Sequence, residues 1–107
     1  MAANEDIVIE QGATFEKAFT VANMNLSTYA ARAQGRTSHA SGTIAITFTA
    51  AISYLSPNST ITLSLTAAQT AALTAPSCGV FDVEAFVGAT VYREVEGSYT
   101  VTPEVTR

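Results

Sequence analysis

His39 is the only histidine of this 107-residue chain and Cys78 its only cysteine, so few side chains could serve as nucleophile or general base. A nucleophile works beside a base within hydrogen-bond reach, usually Ser or Cys next to His, Asp or Glu. His39 stands between Ser38 and Ser41 in a polar stretch, which reads as an exposed loop histidine and not as a positioned base. Cys78 follows Pro76 and Ser77 and precedes Gly79 at the entrance of an expected strand. With no Lys or His beside it in sequence to lower its pKa, it reads as a half-buried, inert thiol. No catalytic residue is expected, and the chain does not read as an enzyme.

The remaining chemistry would be that of carboxylates. Asp82 and Glu84 share one face of an expected strand, and Glu94 and Glu96 share one face of the next. If those strands pair, four carboxylates could approach one another, a hard-oxygen arrangement suited to calcium. The competing reading is a solvated acidic face with Arg93 or Lys17 nearby, because strand-borne carboxylates seldom wrap an ion as loops do. The expectation is therefore no metal and no cofactor. Asn25-Leu26-Ser27 and Asn58-Ser59-Thr60 fit the glycosylation acceptor pattern, here as coincidences of a Ser/Thr-rich chain. There is no glycine-rich phosphate loop, no Cys/His zinc spacing and no tryptophan. Of the four tyrosines, Tyr29, Tyr54 and Tyr99 fall at inward positions and Tyr92 outward, a thin set for stacking on a sugar or another small molecule. Five basic residues against nine acidic ones, net −4, exclude the basic stripe that nucleic acid requires; Arg32 and Arg36 are close but do not make one.

The elements that would position these residues are strands. Ile44, Ile46, Phe48, Ala50, Ile52 and Tyr54 alternate with Thr43, Ala45, Thr47, Thr49, Ala51 and Ser53. After a break at Ser56-Pro57-Asn58, Ile61, Leu63 and Leu65 alternate with Thr60, Thr62 and Ser64. A period of two means a sheet with one buried and one solvated face. Ile7-Val8-Ile9 reads as a short first strand covered on both sides. Gly12 turns the chain into a strand in which Phe15, Phe19 and Val21 share a face with Lys17; that lysine either snorkels at an edge or sits at a bulge. Residues 22–25 read as a loop tip, and Leu26 leads into Tyr29, Ala31 and Ala33, with Arg32 and Gln34 opposite. Residues 34–42 form the longest polar stretch and read as a mobile loop or an arm ordered on assembly.

Thr66-Ala67-Ala68-Gln69 matches a capping box, predicting a short helix over 67–73 that stops before Ala75-Pro76 and must dock on the sheet. Phe81, Val83, Ala85 and Val87 alternate with Asp82, Glu84 and Phe86. Gly88-Ala89-Thr90 turns back into a strand over 91–96, and Gly97-Ser98 leads to another over 99–101, with Pro103 ending the ladder. Seven or eight short strands with turn signals about every ten residues describe an all-β, antiparallel β-sandwich or small barrel. A chain of this length buries roughly 65% of its unfolded surface, so residues 1–107 are expected to form one domain without disulfide or metal.

Charged residues make up only 13% of the chain, about half the usual share. So few charges imply that part of the exterior is covered by partners. No apolar run approaches the ~20 residues that cross a bilayer, and the acidic Met-Ala-Ala-Asn-Glu-Asp start lacks a signal pattern; no membrane association and synthesis in a cytosol are expected.

The word order adds a resemblance. Ile7-Val-Ile-Glu-Gln-Gly-Ala-Thr-Phe15 resembles the "I-x-I-x-x-G-x-T/D-F" opening of small immunoglobulin-like virion structural proteins of tailed bacteriophages and prophages. Residues 25–34 (Asn-Leu-Ser-Thr-Tyr-Ala-Ala-Arg-Ala-Gln) resemble a segment of that family, as do residues 61–73. Residues 80–87, followed by 91–107 (Val-Tyr-Arg-Glu-Val-Glu-Gly-Ser-Tyr-Thr-Val-Thr-Pro-Glu-Val-Thr-Arg), are similar to its "yDvei…G.v.rlleG.vtvspevTR" ending. The resemblance implies an immunoglobulin-like sandwich located in the virion: a tail, baseplate or head-associated assembly or capsid decoration module. It would act through contacts with other virion proteins, as a homo-oligomer, and the family carries no defined site residues. The alternative is a host-surface or carbohydrate-binding module of an adsorption apparatus, with Tyr92 and Glu94 around a shallow groove.

Overall fold

The computed structural model describes residues 3–38, 40 and 44–104. His39, Ser41, Gly42 and Thr43 lie outside the described residues. The chain runs through β1 (Ala3–Asn4), β2 (Ile7–Glu10), β3 (Phe15–Val21), β4 (Ala30–Arg36), β5 (Ile46–Leu55), β6 (Asn58–Leu65), α1 (Ala67–Ala71), β7 (Ser77–Val87) and β8 (Thr90–Thr102). The class is all-β with one short helix. Hydrogen-bonded neighbours follow the order β1-β8-β7-β4-β5-β6-β3, with β2 also on β8.

β5 makes this one sheet. Its first residues pair with β4 (Ile46 with Gly35, Phe48 with Ala33), and from Thr49 to Leu55 it pairs instead with β6. The sheet therefore curls around its own apolar face into a nearly barrel-like wrap. The period-two residues meet inside: Phe15 and Phe19 from β3, Phe48 from β5, Ile61, Leu63 and Leu65 from β6, and Phe81, Val83 and Ala85 from β7 are all buried. Phe48 is the hinge of a row of rings, 5.9 Å from Phe15 and 6.3 Å from Phe81, which in turn lies 6.4 Å from Phe19.

The curl does not close. β3 pairs only with β6, and its outer edge faces β1, β2 and β8 across an open seam. Lys17 blunts this edge. The β3–β6 register runs unbroken from Phe15↔Leu65 to Val21↔Ser59, so there is no bulge. Lys17 lies in the inward row between two buried phenylalanines yet is itself exposed, because its stem runs out through the seam.

The ladder is not antiparallel throughout. β1 and β2 run parallel to β8, with Ala3↔Val95 and Ile7↔Tyr99 in one continuous offset. Between them the chain steps in over Gly97, where an added Cβ would overlap the Glu5 carbonyl. Asp6 compensates by accepting hydrogen bonds from the Ser98 amide (3.3 Å) and hydroxyl (2.8 Å). Val8 is 60% exposed, so the first strand is covered on one side only, as befits an edge. Gly97 and Ser98 interrupt nothing in β8: the expected pair of strands is one strand, because β7 opposes it along its whole length. Gln34, Gly35 and Arg36 belong to β4 and not to a loop, held by pairing with β7 on one side. Cys78 is exposed, since its side chain falls on the outer row opposite Thr100.

The capping box forms: the Gln69 amide donates to Thr66 Oγ1 (3.1 Å) and the Thr66 amide to Gln69 Oε1 (2.8 Å). The helix stops at Ala71 and not at Leu73, because the Leu73 amide bonds the Thr70 carbonyl in a tighter turn. Docking comes from buried Thr70, whose hydroxyl donates to the Ala13 carbonyl at 2.8 Å. A second buried hydroxyl, Ser59, accepts from the Leu26 amide (2.9 Å) and donates to the Met24 carbonyl (2.7 Å), fixing the 22–29 connection to β6. Ser59→Ala leaves that amide without its acceptor, and is expected to lower unfolding free energy by about 1–3 kcal/mol in urea titration. An unchanged midpoint would show that water replaces the hydroxyl.

Candidate interaction surface

Three connections meet at one end of the molecule. β4 starts there, with Ala30 opposite Phe86, so the β7–β8 turn at Gly88-Ala89 lies beside it. The 22–29 connection lies there too, its Asn23 amide donating to Asn58 Oδ1 (3.1 Å) at the β5–β6 turn. Both turns are tight. Gly88 takes φ +56°, a conformation that favours glycine, and Ser56-Pro57 is cis.

This end is apolar and uncharged. Tyr54 and Leu55 flank one turn, and Val87, Val91 and Tyr92 flank the other; they are five of the seven large apolar side chains exposed among the described residues. Leu55 is 84% exposed. Residues 18–31, 37–81 and 85–92 contain no Asp, Glu, Lys or Arg, so no formal charge interrupts the hairpin tips or the loop between them. The exposed apolar side chains are thus gathered at one end and not scattered.

A bulge sets the aromatic geometry. The β7–β8 register shifts between Val83, opposite Val95, and Glu84, opposite Arg93, leaving Glu94 as the extra residue. Beyond it Tyr92 falls in the same row as Ala85, on the inner side and not the outer. Its ring lies 6.0 Å from that of Tyr29. Burial, and then the neighbouring Tyr92, push the Tyr29 hydroxyl above its ordinary pKa. Tyr54, expected inside, is exposed because β5 has run past the core toward its turn.

The same bulge parts the four carboxylates. Asp82, Glu84 and Glu96 stay on the outer face, whereas Glu94 turns to the seam beside Glu5 and Lys17. Arg93 stands among the outer three, 3.5 Å from both Asp82 and Glu96, and Arg32 Nε donates to Glu84 at 2.7 Å. The Arg32 guanidinium also lies over the Phe86 ring, 4.6 Å from its centre. These pairs are exposed and contribute little each, yet together with Arg36 on the same face they leave it electrically balanced. Among the described residues no three His, Cys, Asp or Glu stand close enough to hold a metal. His39 lies outside the described residues.

Asp82 is harder to ionise than an ordinary aspartate, first because of burial and then because of Glu84, with Arg93 opposing. A carboxyl whose folded pKa is raised contributes stability that is complete below its unfolded pKa and is lost as pH rises through the folded one. Asp82→Asn should therefore gain in melting temperature relative to the parent between pH 3 and pH 7. Carboxyl-carbon NMR should place the Asp82 midpoint above the usual aspartate range, and a midpoint at or below that range refutes the assignment.

The apolar end escaped residue-by-residue reading. Its signal was present as apolar pairs flanking turn residues, in Tyr54-Leu55-Ser56-Pro57 and in Val87-Gly88-Ala89-Thr90-Val91. Only the register shows that both turns lie at one end. The chain matches no family model, and no curated protein sequence matches it.

Proposed function

We propose that this protein is a structural component of a tailed-bacteriophage or prophage particle, built as an immunoglobulin-like sandwich and working through protein–protein contacts. The strand order supports the sandwich: β8, β7 and β4 form one group, β6 and β3 the other, β5 passes between them, and the first strands lie parallel to the last. The family-like words at 7–15, 25–34, 61–73, 80–87 and 91–107 support the particle assignment. Its place is the tail, the baseplate or the head surface, and its neighbours are other virion proteins and further copies of itself.

One observation carries the reading: the uncharged end that presents Tyr54, Leu55, Val87, Val91 and Tyr92. Light scattering after size exclusion should give the parent protein a mass above the 11.2 kDa of one chain, or above it once particle proteins are added. Leu55→Asp combined with Val91→Asp should return it to one chain at unchanged melting temperature, since both side chains are already exposed. A strict monomer with no affinity for particle proteins defeats the proposal.

A second reading, a host-surface glycan-binding module, draws on the Tyr29–Tyr92 ring pair with Glu94 close enough to act on Tyr29. Binding on a glycan array, lost in Tyr92→Ala, would favour it over the first.

A further inference from the structure

The seam between β3 and the N-terminal strands has its own chemistry, charged where the adjoining end is apolar. It holds two clefts. One, of 330 Å³, lies between β2 and the start of β3 and is lined by Asp6, Glu10, Glu16 and Lys17 among others. The other, of 340 Å³, continues along β3 past Lys17 to Glu5 and Glu94. The seam thus gathers five carboxylates and one amine, a surplus of four negative charges. That surplus equals the net charge of the entire chain, −4. The other four carboxylates, Asp82, Glu84, Glu96 and Glu104, are matched in number by Arg32, Arg36, Arg93 and Arg107. All three ion pairs among the described residues lie on the outer face of β4, β7 and β8, and none involves a seam residue.

We propose that this seam is a docking site for an extended, cationic segment of a partner protein, which adds to the free edge of β3 as a further strand. β3 supplies the template, because every second residue on its outer edge turns an amide and a carbonyl away from β6. The carboxylates supply the selection. They are strung along the seam and not clustered around a point, and so fit side chains repeating at the ~6.6 Å of alternate strand residues. A metal ion would need convergence, which no described group offers. A second copy is a poor occupant, since its Arg32 and Arg36 sit on β4, an interior strand. Lys17 stands where the two clefts meet, so the segment carries its cations on either side of that point and a neutral residue opposite it.

The test uses the full chain and an acetylated eight-residue peptide alternating lysine and valine, with its glutamate–valine counterpart as control. Fluorescence anisotropy should show binding of the lysine peptide that weakens about tenfold from 50 to 300 mM salt, as exposed charges are screened. Glu5→Gln with Glu94→Gln should weaken it about tenfold, and Lys17→Gln should tighten it several-fold. Hydrogen exchange should show amides within residues 15–21 slowed by the bound peptide. Equal binding of the glutamate peptide, tighter binding lost in Lys17→Gln, or binding that leaves residues 15–21 unprotected would each overturn the proposal.

Discussion

Gly97→Val is expected to strip the N-terminal strands from the sheet and lower unfolding free energy by about 4 kcal/mol, read by urea or thermal denaturation. The cause is local and steric. Even the Cβ of an alanine would overlap the Glu5 carbonyl oxygen, backbone against backbone, with nothing flexible to yield. Relief requires residues 3–6 to lift from β8. Lifting breaks the Glu5 amide bond to the Glu96 carbonyl (2.9 Å) and the Asp6 bonds to Ser98. It also loosens Ile7 and Ile9, which are 4% and 0% exposed, and returning two such side chains to water costs roughly 1.5–3 kcal/mol each. Proteolysis offers an independent readout, since residues 3–10 should become cleavable while β7 and β8 remain protected. Stability within 1 kcal/mol of the parent would mean that the N-terminal strands are not docked as described.

Phe81→Ala should cost about 3–5 kcal/mol, because it empties the middle of the ring row. Phe81 is 3% exposed and touches rings from two other strands, Phe19 on β3 and Phe48 on β5. Phe19 lies beyond the place where β5 changes neighbours, and Phe48 sits at that place, the last β5 residue still opposite β4. The substitution therefore removes contacts that tie β7 to the β3–β5–β6 part of the sheet. Aromatic pairs add about 0.5–1.5 kcal/mol each beyond their buried area. Phe81→Leu, which keeps much of the volume, should recover half or more of the loss. A denaturation midpoint unchanged in the alanine variant would show that the row does not hold the curl together.

Period-two patterning made the inner residues of β6 and β7 legible, because Ile61, Leu63, Leu65, Phe81, Val83 and Ala85 each sit where alternation puts them. The capping box was legible for a similar reason: its chemistry is local, and Thr66 and Gln69 are three residues apart. What escaped was whatever depends on a partner distant in sequence. Nothing in Ile7-Val8-Ile9 states that it lies parallel to residues 99–101, so the exposure of Val8 could not be read. The Glu94 bulge is a two-strand property, and without it Tyr92 is assigned to the wrong side. The sequence admits two readings of Lys17, and the unbroken register opposite β6 decides for the edge. The apolar end depends on two turns more than 30 residues apart, brought level by β4, β5 and β7 (Ser56-Pro57 and Gly88-Ala89).

The parallel pairing of β2 with β8 has a mechanical consequence. Residues 7–10 lie beside residues 99–102 with both strands pointing the same way. A pull that draws Ala3 and Thr102 apart acts along this ladder, so its hydrogen bonds are sheared together instead of being peeled one at a time. Stretching from both ends thus meets the stiffest geometry a pair of strands provides, whereas tension between Ser77 and Val101, paired at the open end of the β7–β8 hairpin, would unzip that antiparallel ladder bond by bond.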